Sequence, residues 1–312
     1  MKDVIKGGSA MPEQNMPKFT YKELRNMFAT GDSKRDEDKL PPDDIFRMTD
    51  QDYALDGRPE HTLDVYYPVG TEGALPVIFN IHGGGWTYGS KGVYQYYCMS
   101  LAQKGFAVIN MNYRLSPESR FPAQLEDIFT ALTFILERKE RYHCDMDHLF
   151  LVGDSAGAQL VSQVCALATN PEYRKLFDLD IPEIRIQAAL MNCGVYNAKD
   201  HFFDEEGNRI GLADTYLAED AEKEKILQQM DVLAYVTGDF PASCLMGSVN
   251  DAVSLTDTDA FADLLKSKGV EVLSLWYGQD DPSLGHVFHI NIALEAARTC
   301  NDREIEFLRT LL

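Results

Sequence analysis

The stretch that most restricts the fold is FLVGDSAG, residues 150–157. Apolar residues typical of a buried strand lead into Gly153-x-Ser155-x-Gly157, and the helical pattern AGAQLVSQVCALA follows. A strand that turns directly into a helix around a serine lifts the hydroxyl above the end of a sheet. A glycine two residues to either side lets neighbouring backbone approach that tight turn. The stretch therefore predicts an α/β fold with Ser155 as a candidate nucleophile.

The rest of the chain alternates strands and helices as such a fold requires. Helical patterns such as PAQLEDIFTALTFILER, with apolar residues at three- and four-residue spacing, lie between short apolar runs. This alternation predicts a mostly parallel, twisted sheet with helices on both faces and ligands bound at the carboxyl ends of the strands. The predicted strands are TLDVYY, PVIFNI, FAVINMNY, HLFLVG, IRIQAALMN, SCLMGS and VEVLSLWY.

Two regions fall outside this alternation. Residues 1–50 contain a segment with helical spacing, followed by the charged run GDSKRDEDKLPPDD, which predicts a loop. About 50 residues separate IQAALMN from SCLMGS, too many for a structureless loop. We expect a catalytic domain over residues 51–312 with a small helical cap inserted at about 196–240, and the N-terminal segment contributing to that cap. The apolar residues of the segment are Met16, Phe19, Leu24, Met27 and Phe28.

The second motif is HGGGW, residues 82–86, directly after the strand PVIFNI. Glycines at a strand end can aim successive backbone N–H groups at one point. Such donors stabilise the negative charge that develops when a serine attacks a carbonyl. His82 is interpreted as a residue that fixes the loop, whereas Trp86 either lines a pocket or packs in the core. The candidate oxyanion-hole residues are Gly83, Gly84, Gly85 and Ala156.

A serine nucleophile needs a base and an acid that orients the base. In this kind of fold the acid and then the histidine follow the serine along the chain. His286, at a glycine turn after the last predicted strand, is the expected base, and Asp251, after SCLMGS, is the expected acid. His289 is the alternative base, and His201 falls in the expected cap. Four other carboxylates lie at the next helix start or too close to His286 along the chain: Asp257, Asp259, Asp280 and Asp281.

The net charge excludes some classes of binding partner, and the cysteine content indicates a cellular location. A formal net charge of −20 repels phosphate backbones and anionic lipid, so neither nucleic acid nor a membrane surface is an expected partner. No stretch has the length and apolarity of a membrane span, and the N-terminus lacks the apolar region of a secretory signal. Six cysteines without CxxC spacing predict buried, reduced thiols and a cytoplasmic location. The HExxH and EF-hand patterns are absent, and we predict no metal and no cofactor.

Several motifs, in this order, resemble the α/β-hydrolase esterases of the hormone-sensitive-lipase group: HGGGW, NYRLSPESRFPAQLEDIFTAL, GDSAG, ND after the penultimate strand, and GHVFH. The resemblance covers roughly residues 60–312 and implies the α/β-hydrolase fold, with a triad of Ser155, Asp251 and His286. The chain departs from the family at the acid, where NDAV replaces the frequent DPL, and residues 1–50 match weakly. The family's structural turn corresponds to YRLSPE, with Tyr113, Arg114 and Glu118.

The resemblance implies a serine carboxylesterase that acts through an acyl-enzyme, and the acidic surface favours small to medium neutral esters. Two alternatives stay open. The same scaffold hydrolyses aryl formamides and some peptides, and it can also serve as a non-catalytic small-molecule receptor, which typically lacks the base. The residues do not define an oligomeric state, and a homo-oligomer is compatible with them. Four residues of the expected cap either form an apolar pocket or attach the cap to the sheet: Phe202, Phe203, Tyr216 and Leu217.

Overall fold

The computed structural model describes residues 20–219 and 222–312. Met16 and Phe19 of the predicted helical segment lie outside these residues. Within the two ranges the strands are β1 (Ile45–Asp52), β2 (Thr62–Pro68), β3 (Leu75–Ile81), β4 (Ala107–Met111), β5 (Cys144–Asp154), β6 (Ile186–Asn192), β7 (Ala242–Ser248) and β8 (Val272–Tyr277). The α-helices are α1 (Tyr21–Asp36), α2 (Lys91–Ala102), α3 (Ala123–Leu136), α4 (Ala156–Thr169), α5 (Pro171–Arg174), α6 (Ala198–Phe202), α7 (Ala213–Tyr216), α8 (Lys223–Met230), α9 (Leu255–Ser267) and α10 (Glu295–Arg309). Short 3-10 helices occur at Pro59–His61, Val232–Tyr235 and Phe288–Ile290.

The strands form one sheet in the order β1-β2-β4-β3-β5-β6-β7-β8. Strands β3 to β8 are parallel, and β1 and β2 add an antiparallel edge. At the carboxyl edge Ile81 of β3 pairs with Gly153 of β5, and Asp154 pairs with Asn192 of β6. The register therefore places the glycine motif and Ser155 on neighbouring strand ends, where parallel sheets bind ligands.

All seven predicted strands are present, and the predicted fold class is confirmed. Strand β1 was not predicted, because its sequence IFRMTDQD is polar and mostly solvent-exposed at the sheet edge. It hydrogen-bonds to β2, so residues 45–50 belong to the sheet and not to a cap. The loop predicted from Gly31 onward is wrong in its first part, since α1 continues to Asp36. Arg35, which pairs with Asp32 and Asp36, stabilises that last turn.

Alternating side chains of the sheet enter two separate cores. Val77, Phe79 and Ile81 of β3 point to the face covered by α3, α4 and α9. Ile78 points to the opposite face, covered by α2 and α10. The predicted buried stripe of α3 faces the first core, because Leu125, Ile128, Phe129, Leu132 and Ile135 are all buried there. Residues on both faces of the sheet are thus removed from water, as expected for a parallel sheet covered by helices.

The segment between β6 and β7 carries α6, α7 and α8 and packs onto the sheet through aromatic side chains. Trp86, directly after the glycines, lies 5.0 Å from the ring of Phe202 and 4.9 Å from the ring of Tyr216. Its indole Nε1 donates to Gln159 Oε1 of α4 (3.1 Å). Trp86 is therefore a core residue that joins the glycine loop to the insertion. Phe202, Phe203, Tyr216 and Leu217 are buried and attach the insertion in the same way.

Hydrogen bonds reinforce this attachment. Arg120 donates to the main-chain carbonyls of Asp214 and Leu217. From the α4–α5 side, Gln163 and Tyr173 both donate to the carbonyl of Gln229 at the end of α8 (2.9 and 2.6 Å). The insertion is thus bonded to the α/β body at two places, around α7 and at the end of α8.

Replacing Trp86 by alanine is expected to lower the free energy of unfolding by about 3–5 kcal/mol, because a large buried ring and its aromatic neighbours lose their contacts. Equilibrium unfolding in urea measures the change. Trp86→Phe, which keeps a ring but loses the bond to Gln159, serves as the matched variant and should cost clearly less. A loss below about 1 kcal/mol for Trp86→Ala would show that the insertion does not depend on this contact.

Candidate active site

Ser155 occupies the strained turn that its sequence predicts. Its backbone has φ 51° and ψ −119°, between the last residue of β5 and the first of α4. A Cβ added to Gly157 would lie 2.1 Å from the carbonyl oxygen of Ile81, and one added to Gly153 would lie 2.6 Å from the carbonyl oxygen of Gly157. Both glycines are therefore required by close backbone approach. The Ser155 amide donates to the carbonyl of Asn192 (2.9 Å), which fixes the turn to β6.

The structure brings the three predicted site side chains together. His286 Nε2 lies 3.0 Å from Ser155 Oγ, and His286 Nδ1 lies 2.8 Å from Asp251 Oδ2. The imidazole remains partly exposed, with 30% of its side-chain surface accessible, whereas the Asp251 side chain is fully buried. A serine hydroxyl, an imidazole and a carboxylate in this chain of hydrogen bonds can move a proton from the hydroxyl to the ring.

The Asp251 carboxylate is held by its own loop. Oδ1 accepts from the amide of Val253 (2.9 Å), and Oδ2 accepts from the hydroxyl of Ser254 as well as from His286. Burial alone would raise the pKa of Asp251, but the hydrogen bond and charge of His286 and the bonds from Ser254 and Val253 lower it to about 2. The carboxylate therefore stays ionised and fixes the ring. Sequence reasoning missed Ser254, because a serine directly before a helix suggests an N-cap, whereas its hydroxyl makes no cap bond to α9 and donates to Asp251 instead.

The other histidines and carboxylates considered lie elsewhere. His289 is buried with its ring edge against Tyr97 (5.4 Å), and burial lowers its pKa to about 3. His201 Nε2 lies 3.1 Å from Asp257 Oδ2, and the same oxygen accepts from the amide of Asn197. Asp257 therefore connects α9 to the inserted segment. Asp281 is exposed and bonds to the amide and hydroxyl of its neighbour Ser283.

The glycine loop faces Ser155 and depends on its lack of side chains. Gly84 and Gly85 have φ angles of 115° and 60°, and a Cβ on Gly84 would lie 2.3 Å from the carbonyl oxygen of Tyr88. His82 is buried, and burial lowers its pKa to about 4, so the ring stays neutral. Its Nδ1 lies 2.8 Å from the carbonyl oxygen of Gly83, and its ring stacks on Tyr113 at 4.1 Å. These contacts agree with a loop-fixing role for His82.

One predicted oxyanion donor must be corrected. The amide of Gly83 donates to Tyr94 Oη (3.1 Å), so it is already engaged and does not point to the reacting centre. Within residues 20–219 and 222–312, the amides of Gly84, Gly85 and Ala156 have no protein acceptor. Gly84 and Gly85 line the same cavity as Ser155, and Ala156 directly follows it, so these three N–H groups are the remaining candidates for holding an oxyanion.

Tyr94 connects the glycine loop to the residue before the nucleophile, a link that the sequence motifs did not reveal. Its hydroxyl accepts from Gly83 and donates to Asp154 Oδ2 (2.8 Å). Burial raises the pKa of Asp154 to about 6, and the bond from Tyr94 offsets part of that rise. A Cβ on Gly83 would lie 2.5 Å from Asp154 Oδ2, so the loop and the carboxylate are in close contact. Loop and nucleophile turn are therefore joined by one buried polar network.

A cavity of about 210 Å³ opens beside Ser155, between α1 and the glycine loop. Its lining is largely apolar and includes Met27 and Phe28 of α1 together with Val93, Val287 and Ile290. None of the four aromatic or apolar residues expected to form a pocket in the insertion lines this cavity. The cavity can admit a small apolar group to the reacting hydroxyl.

One cluster of potential metal ligands coincides with this site. Among the described residues, Cys193, Asp251 and His286 place one ligand atom each within 4.8 Å of one another. The imidazole and the carboxylate are already bonded to each other at 2.8 Å, which accounts for their approach without a metal. No helix of the described chain is both long enough and apolar enough to cross a bilayer.

Comparison with known proteins agrees with this geometry. The family model described as BD-FAE matches residues 63–265, more than half of the chain. The chain belongs to the BD-FAE family. The resemblance to α/β-hydrolases of the hormone-sensitive-lipase group is thereby confirmed.

Individual relatives share parts of the sequence or the whole fold. Arylacetamide deacetylase of Bos taurus is 37% identical over 130 residues, which cover 36% of this chain and 33% of that protein. Ethyl acetate hydrolase of Pseudomonas putida is 37% identical over 116 residues, 36% of either chain. Esterase B from Lactobacillus rhamnosis, solved with a tributyrin phosphonate inhibitor, superposes with a TM-score of 0.80 at 25% identity, over 93% of this chain and 94% of that chain. The matched region spans about a third of the length of the curated relatives.

Asp154→Asn is expected to change how stability depends on pH. The folded protein keeps a proton on Asp154 up to about pH 6, whereas the unfolded chain loses it near pH 4, so the free energy of unfolding falls between those values. Asparagine does not titrate. The difference in the free energy of unfolding, variant minus wild type, should therefore increase by on the order of 3 kcal/mol when the pH is raised from 4 to 7.

Denaturant unfolding at the two pH values measures this difference. Asp239→Asn, at an exposed position, is the matched control and should leave the pH dependence of the wild type unchanged. Parallel stability curves for wild type and Asp154→Asn would contradict the raised pKa.

Proposed function

We propose that this protein is a serine carboxylesterase that hydrolyses small to medium neutral esters through an acyl-enzyme. The observation that carries the proposal is the continuous hydrogen-bonded chain from Ser155 Oγ through His286 to Asp251, with distances of 3.0 and 2.8 Å. Free amides on the neighbouring glycine loop and at the start of α4 complete the arrangement that acyl transfer requires.

In the proposed mechanism, His286 Nε2 takes the proton of Ser155 as the hydroxyl oxygen attacks the ester carbonyl. The amides of Gly84, Gly85 and Ala156 hold the oxyanion, and the ionised Asp251 stabilises the imidazolium through its Nδ1–H. His286 then gives the proton to the departing alcohol. A water molecule repeats the sequence on the acyl-enzyme and releases the acid, which restores the serine.

The relatives support ester hydrolysis over the alternatives. Ethyl acetate hydrolase and esterase B carry names that denote ester hydrolysis, and esterase B was solved with a tributyrin phosphonate, whereas the name arylacetamide deacetylase denotes cleavage of an amide. An arylformamidase, a peptidase and a receptor on the same fold are not favoured by these names. A receptor is disfavoured further by the presence of base and acid at bonding distance.

The proposal also covers the domain organisation, the cellular location and the partners of the protein. We assign residues 51–312, together with the part of strand β1 that begins at Ile45, to the catalytic domain. We assign the segment at about 196–240 to a cap, since its helices attach through Trp86, Arg120 and Gln163. The N-terminal contribution to the cap comes from α1, which borders the cavity beside Ser155. A cytoplasmic location fits the six buried free cysteines. Nucleic acid is not proposed as a partner, because of the strongly negative net charge.

Ser155→Ala is expected to lower kcat for p-nitrophenyl acetate by about 10⁴-fold or more, because the nucleophile is removed. A fluorophosphonate should label wild type on the peptide that contains Ser155 and should leave the folded variant unlabelled. Ser267→Ala, at an exposed serine of α9, is the control and should keep both activity and labelling. Labelling at another residue, or none in wild type, would overturn the proposed function.

Tyr94→Phe is expected to lower kcat about tenfold with little change in KM, because the buried Gly83 amide and Asp154 both lose a partner and the loop relaxes. Steady-state kinetics on p-nitrophenyl butyrate measures the effect. Tyr96 lies on the same helix as Tyr94, and its hydroxyl donates to the carbonyl of Lys39, outside the site. Tyr96→Phe removes that bond and is the matched control. Equal effects of the two substitutions would mean that Tyr94 contributes only to general stability.

A further inference from the structure

The N-terminal helix α1 forms the outer wall of the cavity beside Ser155. Met27, Phe28, Gly31 and Asp32 line it, and their spacing of three and four residues places them on one face of the helix. Met27 is 49% exposed, so this wall also forms the rim where the cavity meets solvent. The wall is therefore made by a part of the chain that precedes the entire sheet.

Polar contacts hold α1 in this position. Arg25 donates to the carbonyls of Thr87 (2.6 Å) and Ser116 (2.8 Å) and forms an ion pair with Glu118 (2.6 Å). Two turns further along α1, Asp32 accepts a hydrogen bond from the Tyr88 hydroxyl (2.8 Å), and the Tyr88 ring packs against Phe28 at 5.6 Å. Thr87 and Tyr88 directly follow the HGGGW motif. The wall is thus anchored to the loop that faces the nucleophile, and its distance from Ser155 is fixed by these bonds.

Of the four residues of α1 that line the cavity, Gly31 alone has no side chain. A Cβ placed on Gly31 meets no described atom within 4 Å, and its backbone does not have the positive φ that favours glycine. Glycine inside a helix is less favourable than alanine, so neither backbone conformation nor crowding explains this residue. What distinguishes the position is the open space beside it at the cavity rim.

The chemistry of the lining defines what can pass through that space. Among the described residues that line the cavity, none is lysine or arginine, and the carboxylate of Asp32 is already bonded to Arg35 and Tyr88. An anionic chain would find no partner there. The volume of about 210 Å³ is below the 300–1,000 Å³ of typical ligand pockets, so a longer chain must leave through the rim.

We propose that Gly31 is the specificity-determining residue of this site: the opening beside it lets the uncharged chain of a medium-length ester pass out of the cavity over α1. The inference rests on the proposed esterase function and adds the route of the substrate chain. A larger side chain at this position closes the route, whereas acetate esters, which fit within the cavity, are affected far less.

The test compares p-nitrophenyl acetate, butyrate and octanoate in wild type, Gly31→Ala and Gly31→Leu. The expected result is that Gly31→Leu lowers the octanoate-to-acetate ratio of kcat/KM by about tenfold or more, because octanoate loses far more than acetate, with Gly31→Ala in between. Ala29→Leu adds the same side chain on the opposite, exposed face of α1 and is the matched control, with an unchanged ratio. Thermal midpoints of all variants confirm that each is folded.

The remaining outcomes overturn the inference. An unchanged ratio in Gly31→Leu, an equal loss for all three esters, or a wild type that already rejects octanoate as strongly as the leucine variant each shows that no chain passes beside Gly31. In those cases phosphonate labelling of Ser155 still tests the proposed function separately. If wild type neither hydrolyses any ester nor reacts with the phosphonate, the proposed function fails and the inference fails with it.

Discussion

The arrangement of this site depends on one close backbone contact, between Gly157 at the start of α4 and the carbonyl of Ile81 at the end of β3. A Cβ on Gly157 would lie 2.1 Å from that oxygen, so only glycine permits the approach. The contact places the first turn of α4 beside the strand end from which the glycine loop departs. Ala156, directly after the nucleophile, and the glycines of the loop are consequently brought to the same end of the sheet by main-chain packing, and we propose that the amides of Gly84, Gly85 and Ala156 serve as the oxyanion donors.

This main-chain scaffold is completed by two buried carboxylates with opposite electrostatic environments. Asp251 receives hydrogen bonds from an imidazole, a hydroxyl and an amide, and its pKa falls to about 2. Asp154 is buried with the Tyr94 hydroxyl as its principal donor, and its pKa rises to about 6. The first provides a fixed negative charge behind His286, and the second ties the glycine loop to the nucleophile turn. Two residues of the same type, at the ends of β5 and β7, thus serve different purposes because of the number of donors around them.

The sequence alone predicted the parts of this site that leave a local signal. Ser155 and the glycines sit in short motifs whose spacing reflects a strained turn, and His286 and Asp251 follow from chain order and strand ends. The seven predicted strands were readable from apolar runs, whereas the edge strand β1 was not, because its exposed face lacks such a run. Tyr94 was missed for another reason, because its importance comes from hydrogen bonds to Gly83 and Asp154 made across the fold, and no spacing along the chain encodes them. Ser254 lies only three residues from Asp251, and its hydroxyl makes a local hydrogen bond to that carboxylate.

The same distinction explains why the two outer segments differ in how well they could be predicted. The insertion after β6 is attached through aromatic packing on Trp86, a residue adjacent to a recognisable motif. Helix α1 is attached chiefly by polar side chains, with Arg25 reaching carbonyls more than 60 residues away along the chain. Hydrogen bonds to main-chain carbonyls place few demands on the sequence of the partner. On the face of α1 that lines the cavity, Asp32 accepts a hydrogen bond from Tyr88 and Phe28 packs on the Tyr88 ring, whereas Met27 and Gly31 take no part in the attachment. A substitution at Met27 or Gly31 can therefore change the wall of the cavity without removing a bond that holds α1.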